Sequence, residues 1–169
     1  MILSPMPGRV IAVGRDEKAL KRTLRLGADA TVQLADGETA PRLAQRLEAA
    51  VNGQPPNVVL DAIYGVAFAA ALLVCAPGAR IVNVGNLGGE SVALTANLLR
   101  GRQLTIAGFA ALLTSLQDKR RALEWAWSAL ANDTLEVEIA TYAVDDIAIA
   151  WEAQSRSPHA KIIIEFADA

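Results

Sequence analysis

Short runs of apolar, mostly β-branched residues alternate along this chain with longer stretches of helical periodicity, and this alternation constrains the fold most. The first run, Val10–Val13, ends at Gly14 and Arg15, and helical spacing follows over Ala19–Leu26. Six later runs repeat the arrangement: Ala30–Leu34, Val58–Leu60, Arg80–Val84, Gln103–Gly108, Glu136–Ala140 and Lys161–Phe166. Strands that alternate with helices predict an α/β fold, with a doubly wound, mostly parallel sheet and helices on both of its faces.

The apolar composition indicates a covered surface. Hydrophobic residues make up 53% of the 169 residues and charged residues 20%, which is apolar for a chain that is long enough for one domain. We expect a partner to cover one apolar face. Trp125 and Trp127 lie two residues apart on the longest predicted helix, 115–132, which places one toward the core and the other toward such a partner.

Charge and terminal composition exclude several classes of protein. The net charge of -2 provides no basic surface for nucleic acid. The segment Met1–Pro7 has no basic region and contains two prolines, so it does not predict a signal peptide. The charge-free run Ala62–Ala79 is short for a membrane span and contains Gly65 and Pro77, which favours a buried helix followed by a turn. A cytoplasmic location and no membrane association are the resulting expectations.

The sequence offers no metal site and no catalytic residue. The single cysteine, Cys75, and the single histidine, His159, exclude a cysteine-based zinc cluster and a multi-histidine site. Cys75 lies in an apolar run, where a buried, unreactive thiol is expected. Neither Tyr64 nor Tyr142 has a base near it in sequence, so no role is assigned to either.

Arg15 is the first candidate for binding a ligand. Ligands of open α/β sheets lie at the carboxyl ends of the strands, where an acidic residue accepts from the ribose 2′-OH of NAD and an arginine accommodates the 2′-phosphate of NADP. Gly14 would leave room for that phosphate, and Lys18 would add a charge one turn into the helix. The alternative is that Arg15 and Lys18 are solvated surface charges.

Several motifs in order and at consistent spacing resemble one known family. They are RVIAVGRDEKAL (9–20), RLGADATVQL (25–34), VVLDAIYG (58–65), PGARIVNVG (77–85), LTIAGF (104–109), VDDIAIAWEA (144–153) and HAKIIIEF (159–166). Together they resemble the coenzyme domain of the medium-chain dehydrogenase/reductase family, which includes zinc-type alcohol dehydrogenases and NADPH:quinone reductases. The resemblance runs from Gly8 almost to the end of the chain. It implies a Rossmann-like, doubly wound fold that is truncated at its N-terminus.

The chain also departs from that family. No G-x-G occurs in it, so the glycine-rich turn that holds the pyrophosphate through backbone N–H groups is absent. Family members carry a GroES-like catalytic domain, and then the first strand with that turn, before the motif that begins at Arg9. The chain therefore resembles a truncated or excised part of such a reductase, or a divergent remnant. We expect weak coenzyme binding and no activity from it alone.

The resemblance implies further coenzyme contacts at strand ends. Asp61 and Ala62 would line the adenosine edge, and Gly85 and Asn86 would lie near the nicotinamide ribose. Phe109 follows a strand whose end approaches the nicotinamide. The alternative for each is an ordinary strand-to-loop turn or, for Phe109, packing. The implied cofactor is NADP(H), with NAD(H) as the alternative and no metal in this chain.

Organisation and partners also follow from the resemblance. Residues 1–169 are predicted to form one coenzyme-binding domain, and the strand within 159–166 would contact the catalytic domain of an intact enzyme. The strand Leu104–Gly108 would pair across a two-fold axis, giving a homodimer that protects an exposed edge. A second hypothesis is a non-catalytic, Rossmann-like dimerisation or interaction module that binds no nucleotide. A third, a methyltransferase that uses adenosylmethionine, also requires the absent glycine-rich turn.

Overall fold

A computed structural model describes residues 8–156 and 158–166 of the chain. The chain divides between Leu116 and Gln117 into two compact units, here called the N-terminal unit and the C-terminal unit. The N-terminal unit contains β1 (Ile11–Gly14), α1 (Glu17–Arg25), β2 (Ala30–Gln33), α2 (Ala40–Val51), β3 (Val58–Asp61), α3 (Gly65–Val74), β4 (Arg80–Asn83), α4 (Ala96–Gly101) and β5 (Thr105–Gly108). The C-terminal unit contains α5 (Leu116–Ala131, which begins at the boundary), β6 (Ile139–Ala143), α6 (Ile147–Ser155) and β7 (Lys161–Glu165).

Every strand pair in the described residues is parallel. β1 pairs with β2, and β3, β4 and β5 form a three-stranded sheet in that order. In the C-terminal unit β6 pairs with β7, with Ile139 opposite Lys161. The predicted α/β fold with parallel strands is therefore confirmed. The described strands of the N-terminal unit form two separate sheets, because β1 and β3 do not pair with each other.

Helix α3 is the centre of the N-terminal unit. Its residues Ala70 and Val74 belong to an apolar cluster with β2 and α2, and Phe68 and Leu72 belong to a second cluster with Ile81 of β4. No residue of α3 is exposed. A helix that is apolar on every side is stable when it is buried on every side, and α3 meets this condition because it packs against both sheets.

The local sequence explains where the first two helices begin. Asp16 precedes α1, and its Oδ1 accepts a hydrogen bond from the Ala19 N–H at 2.6 Å, as expected of an N-cap. Thr39 precedes α2, and Pro41 lies in the first turn. Backbone N–H groups in the first turn have no acceptor within the helix, so the missing N–H of proline costs no hydrogen bond there. Both helix starts are therefore explained by local sequence signals.

Two expectations for the C-terminal unit are wrong. The strand predicted at Glu136–Ala140 lies at Ile139–Ala143 instead, because its partner β7 fixes the register and all five of its residues have partners there. The sequence predicts that one of Trp125 and Trp127 lies in the core, but the two side chains are 58% and 67% exposed. No helix among the described residues is long and apolar enough to span a membrane.

Cys75 follows α3 and is fully buried in the second apolar cluster. Burial raises the pKa of its thiol, although the Arg102 charge opposes this shift. Less thiolate and no solvent access both slow alkylation. We expect iodoacetamide to label Cys75 in the folded chain roughly a thousandfold more slowly than in guanidinium-denatured chain. Equal rates in the two states, measured by mass spectrometry, would contradict this placement.

Candidate functional site

Three strands of the N-terminal unit end at one cavity, here called the Arg15 cavity. Its volume is about 140 Å³. Arg15 comes after β1, Leu34 and Asp36 come after β2, and Ile63 and Tyr64 come after β3, and all five line it. The carboxyl ends of β1, β2 and β3 therefore lie on the same side of this unit.

A larger cavity, here called the Asn86 cavity, lies at the ends of β4 and β5. Its volume is about 350 Å³, and its lining includes Asn83, Asn86 and Gly108. Tyr64 lines both cavities. The two cavities are therefore neighbours along the carboxyl edge of the strands, where open α/β folds bind their ligands.

Arg15 extends from the end of β1 with its side chain exposed. Its backbone carbonyl accepts a hydrogen bond from the side-chain amide of Gln33 at 2.9 Å, which fixes the turn. The neighbouring carboxylate of Asp16 is used as the cap of α1. A Cβ on Gly14 would lie 3.5 Å from the side chain of Leu20, which is ordinary van der Waals contact. Lys18 is exposed on α1 and does not line the cavity, so the structure does not bring it together with Arg15 there.

The acidic side of the Arg15 cavity is partly neutralised. Glu38 accepts from the Ala35 N–H at 2.9 Å and from Arg46 Nη1 at 2.8 Å. These bonds, with that from Ala35 the larger influence, hold the pKa of the Glu38 carboxyl below its usual value. Because Arg46 compensates Glu38, the charges that remain at the cavity are those of Arg15 and Asp36.

Asp61 is a buried carboxylate that organises two strand ends. It accepts from the N–H groups of Ile63 and Tyr64 at 3.2 and 2.9 Å, and from Asn83 Nδ2 at 2.6 Å. Asn83 also donates to the carbonyl of Gly85 at 2.7 Å. Asp61 therefore connects the turn after β3 to the loop after β4. All of these hydrogen bonds come from groups of the protein itself. The contact of Asp61 with an adenosine therefore stays a prediction.

The remaining predicted residues surround the same loops. Ala62 is exposed, and its carbonyl oxygen lies 2.6 Å from the position of a Cβ on Gly85, so the two backbones are in close contact. Asn86 is exposed and lines its cavity. Phe109 follows β5, and its N–H donates to the Asn83 carbonyl at 2.8 Å while its ring is exposed. Ala62, Gly85, Asn86 and Phe109 thus lie at adjacent strand ends.

Tyr64 also lies at the site, although its sequence context predicts no role for it. Its φ of 62° is unusual for a residue with a side chain. Its ring centroid lies 4.8 Å from that of Phe68, so the ring is held against α3 at the junction of the two cavities. Such strained residues concentrate at functional sites. The signal in the sequence was an aromatic residue directly before the glycine that opens a helix.

The backbones of two loops are in contact on either side of Tyr64 in sequence, at Ile63 and Gly65. The N–H of Gly88 donates to the Ile63 carbonyl at 2.6 Å. Gly65 has a φ of 60°, and a Cβ on it would lie 2.2 Å from the Gly88 carbonyl oxygen. These positions require glycine, because a side chain would separate the loops.

No group of three or more His, Cys, Asp or Glu side chains able to hold a metal occurs in residues 8–156 and 158–166. The described residues thus do not fit a zinc site. The two cavities lie at the strand ends, where open α/β domains bind their ligands.

The chain belongs to the zinc-binding dehydrogenase family, whose family model matches residues 4–128. That model covers the coenzyme-binding domain of medium-chain dehydrogenases. The resemblance inferred from the motifs is therefore confirmed. No curated protein matches the sequence.

Solved structures show the same fold. An alcohol dehydrogenase from the archaeon Aeropyrum pernix matches 94% of this chain with 20% identity and a TM-score of 0.72. A mycobacterial quinone oxidoreductase matches 89% with 19% identity and a TM-score of 0.73. CurA from Vibrio vulnificus, solved in complex with NADPH, matches 99% with 12% identity and a TM-score of 0.72. The chain spans 43%, 46% and 60% of the lengths of these proteins.

Proposed function

We propose that the chain binds a nicotinamide dinucleotide along the carboxyl edge of its strands and prefers NADPH. The adenosine end would lie in the Arg15 cavity and the nicotinamide end in the Asn86 cavity. The observation that carries the proposal is the adjacency of these cavities, with Tyr64 in the wall of both. The coenzyme in the CurA complex supports it as a precedent on a similar fold.

The charge arrangement supports NADPH rather than NADH. The Asp16 carboxylate caps α1 and is thus engaged with the backbone, whereas the Arg15 guanidinium is exposed at the cavity. Arginine offers planar, paired donors that match a phosphate group. A 2′-phosphate beside Arg15 would gain a charge-assisted hydrogen bond that a 2′-hydroxyl would not.

Within a complete enzyme the bound coenzyme would carry a hydride to or from a quinone, enone, aldehyde or alcohol. This chain's part would be to hold and orient it. Asn83 and Asp61 keep the loops after β3 and β4 in place, and Tyr64 separates the two ends of the groove. We assign no catalytic residue to the chain, and we expect it to be inactive without a catalytic domain of the GroES-like type.

We also propose that two copies of the chain form a homodimer through β5. We place the protein in the cytoplasm. β5 pairs with β4 on one side, and no described strand pairs with its other edge. An open edge of this kind is protected in a two-fold dimer. The single, unpaired thiol of Cys75 agrees with a reducing compartment.

Arg15→Ala tests the proposed site. Losing one charge-assisted hydrogen bond costs about 1.5–3 kcal/mol, so the intact chain should bind NADPH roughly ten- to a hundredfold more tightly than NADH. The variant should bind both nucleotides equally. Isothermal titration of each nucleotide measures this, with Arg25→Ala, at the other end of α1, as the control that keeps the preference.

Two results would count against the proposal. If selectivity is unchanged in Arg15→Ala, Arg15 does not contact the 2′-phosphate. If neither nucleotide binds the intact chain at millimolar concentration, weaker than about -4 kcal/mol, the interaction-module hypothesis takes its place.

A further inference from the structure

Arg46 does not line the Arg15 cavity, but it holds a carboxylate that does. Arg46 lies in α2, and its Nη1 donates to both carboxylate oxygens of Glu38, at 2.8 and 2.9 Å. Glu38 lines the cavity together with Arg15 and Asp36. The side chain of Glu38 is only 7% exposed, whereas that of Arg46 is 44% exposed. The ion pair therefore places its negative member at the cavity and its positive member outside the lining.

The same guanidinium also fixes the end of β2. Arg46 Nη2 donates to the backbone carbonyl of Gln33 at 2.6 Å. The side-chain amide of Gln33 donates in turn to the carbonyl of Arg15 at 2.9 Å. A chain of hydrogen bonds thus connects α2, the end of β2 and the turn that carries Arg15. Arg46 supplies both this chain and the charge opposite Glu38.

Glu38 would remain an anion without Arg46. The hydrogen bond from the Ala35 N–H is the largest cause of the lowered pKa of the Glu38 carboxyl, and the bond from Arg46 comes second. The Ala35 bond does not involve Arg46, so it stays when Arg46 is replaced. A carboxyl of ordinary pKa is also ionised at neutral pH. Loss of Arg46 would therefore add an uncompensated negative charge to the cavity lining.

An uncompensated Glu38 would act on one kind of ligand only. A 2′-phosphate carries charge of the same sign as Glu38 and Asp36, and like charges repel more strongly at a protein surface than in bulk water. A ribose 2′-hydroxyl is neutral and undergoes no such repulsion. Arg15 would then share the cavity with two free carboxylates instead of one. The Arg46–Glu38 pair therefore discriminates between ligands with and without a 2′-phosphate.

We propose that Arg46 is a positioning residue that sets the preference of the Arg15 cavity for a 2′-phosphorylated adenosine, because it neutralises Glu38 at the lining. This role rests on the proposed function, in which the adenosine end of NADPH occupies the cavity. It extends that function to a residue outside the lining, since Arg46 acts on the ligand through Glu38. Removing the two members of the ion pair separately should then have opposite effects, whereas a purely structural ion pair would give the same effect in both cases.

Binding of adenosine 2′,5′-bisphosphate and of adenosine 5′-monophosphate tests this role. The two ligands differ only in the 2′-phosphate, and neither contains nicotinamide. Amide chemical shifts of Asp36 and Gly37, followed by NMR, give both dissociation constants and verify that the ligand lies at the Arg15 cavity. We expect the intact chain to bind the bisphosphate roughly ten- to a hundredfold more tightly than the monophosphate.

Arg46→Gln and Glu38→Gln should change that preference in opposite directions. Arg46→Gln leaves Glu38 uncompensated and should lower the preference about five- to tenfold. Glu38→Gln removes the anion, keeps an oxygen for the Ala35 N–H, and should retain the preference or raise it by up to about fivefold. The double variant has the same net charge at the pair as the intact chain, so its preference should return to within about threefold of the intact value.

Arg42→Gln is the matched control. Arg42 is exposed on the same helix, one turn before Arg46, and acts on Glu38 through its charge alone, as the smallest of the influences on the Glu38 pKa. Its replacement removes the same charge from the chain and should alter the preference by no more than about twofold. Slow labelling of Cys75 verifies that each variant is folded; if Arg46→Gln is not folded, the direction of the effect of Glu38→Gln decides.

Two results would leave the proposed function intact and remove Arg46 from it. One is an unchanged preference in Arg46→Gln. The other is a similar loss of preference in Arg46→Gln, Glu38→Gln and the double variant, which would identify the ion pair as a structural contact only. A third result, no preference for the bisphosphate in the intact chain, would overturn both the role of Arg46 and the proposed preference for NADPH.

Discussion

Asp61→Ala should accelerate alkylation of Cys75 by about 30- to 1,000-fold. The substitution leaves the Asn83 amide and the N–H groups of Ile63 and Tyr64 without their shared acceptor in a buried place. Bonds to a charged acceptor contribute about 1.5–3 kcal/mol each, and partial rescue by water limits the loss to about 2–4 kcal/mol. When the folded unit opens and closes quickly compared with alkylation, the labelling rate increases by the factor that corresponds to this loss of stability.

Cys75 is the appropriate reporter because it lies inside the N-terminal unit. The three tryptophans, Trp125, Trp127 and Trp151, all belong to the C-terminal unit, so fluorescence would follow the other unit. Asp29→Ala is the matched control: Asp29 is exposed and accepts one backbone bond, from the Val10 N–H. It should change the rate by roughly tenfold at most. If Asp61→Ala labels no faster than this control, Asp61 does not hold the strand ends together.

Gly65→Ala should destabilise the N-terminal unit by about 2–5 kcal/mol. A left-handed conformation costs an L-residue about 1–2 kcal/mol, and the added Cβ would lie 2.2 Å from the Gly88 carbonyl oxygen. Relieving that overlap requires the loop after β4 to move away from α3, a change that costs about 1–3 kcal/mol. Cys75 labelling should measure the loss, and nucleotide binding should weaken because the loop that carries Tyr64, which lines both cavities, shifts.

Gly78→Ala separates the two causes. Gly78 has a φ of 75°, but a Cβ on it would meet nothing within 4 Å. It should therefore cost only the conformational term of about 1–2 kcal/mol. Equal destabilisation by the two alanine substitutions would show that the contact between Gly65 and Gly88 carries no energy.

The strands and helices of the N-terminal unit could be predicted because their signals are local. Asp16 caps α1, and four-residue apolar runs form the strands. The position of β6 could not be predicted in the same way, because β7 decides which residues pair. The alternation of Leu135, Val137 and Ile139 with glutamates suits an earlier strand equally well.

The candidate site was predictable only as a set of strand ends. The sequence indicated Arg15 and Asn86, and the structure places each of them at a cavity. Its only signal for Tyr64 is an aromatic residue directly before Gly65, and it does not indicate Asn83 beneath the loops. That role depends on contacts between segments some twenty residues apart, such as the one between Asn83 and Asp61. The separation of β1 from β3 likewise depends on which strands pair, which no local pattern encodes.

One edge of β1 and one edge of β3 have no strand partner in the described part of the chain, and this bears on the lifetime of the chain in a cell. Exposed edge strands usually contain lysine, proline or a bulge, which prevents edge-to-edge aggregation. The segments IAVG and VVLD contain neither lysine nor proline. A chain with these edges uncovered is prone to β-aggregation and to capture by chaperones and proteases. Its abundance is then set by how quickly the edges are covered after synthesis, as much as by the stability of the folded unit.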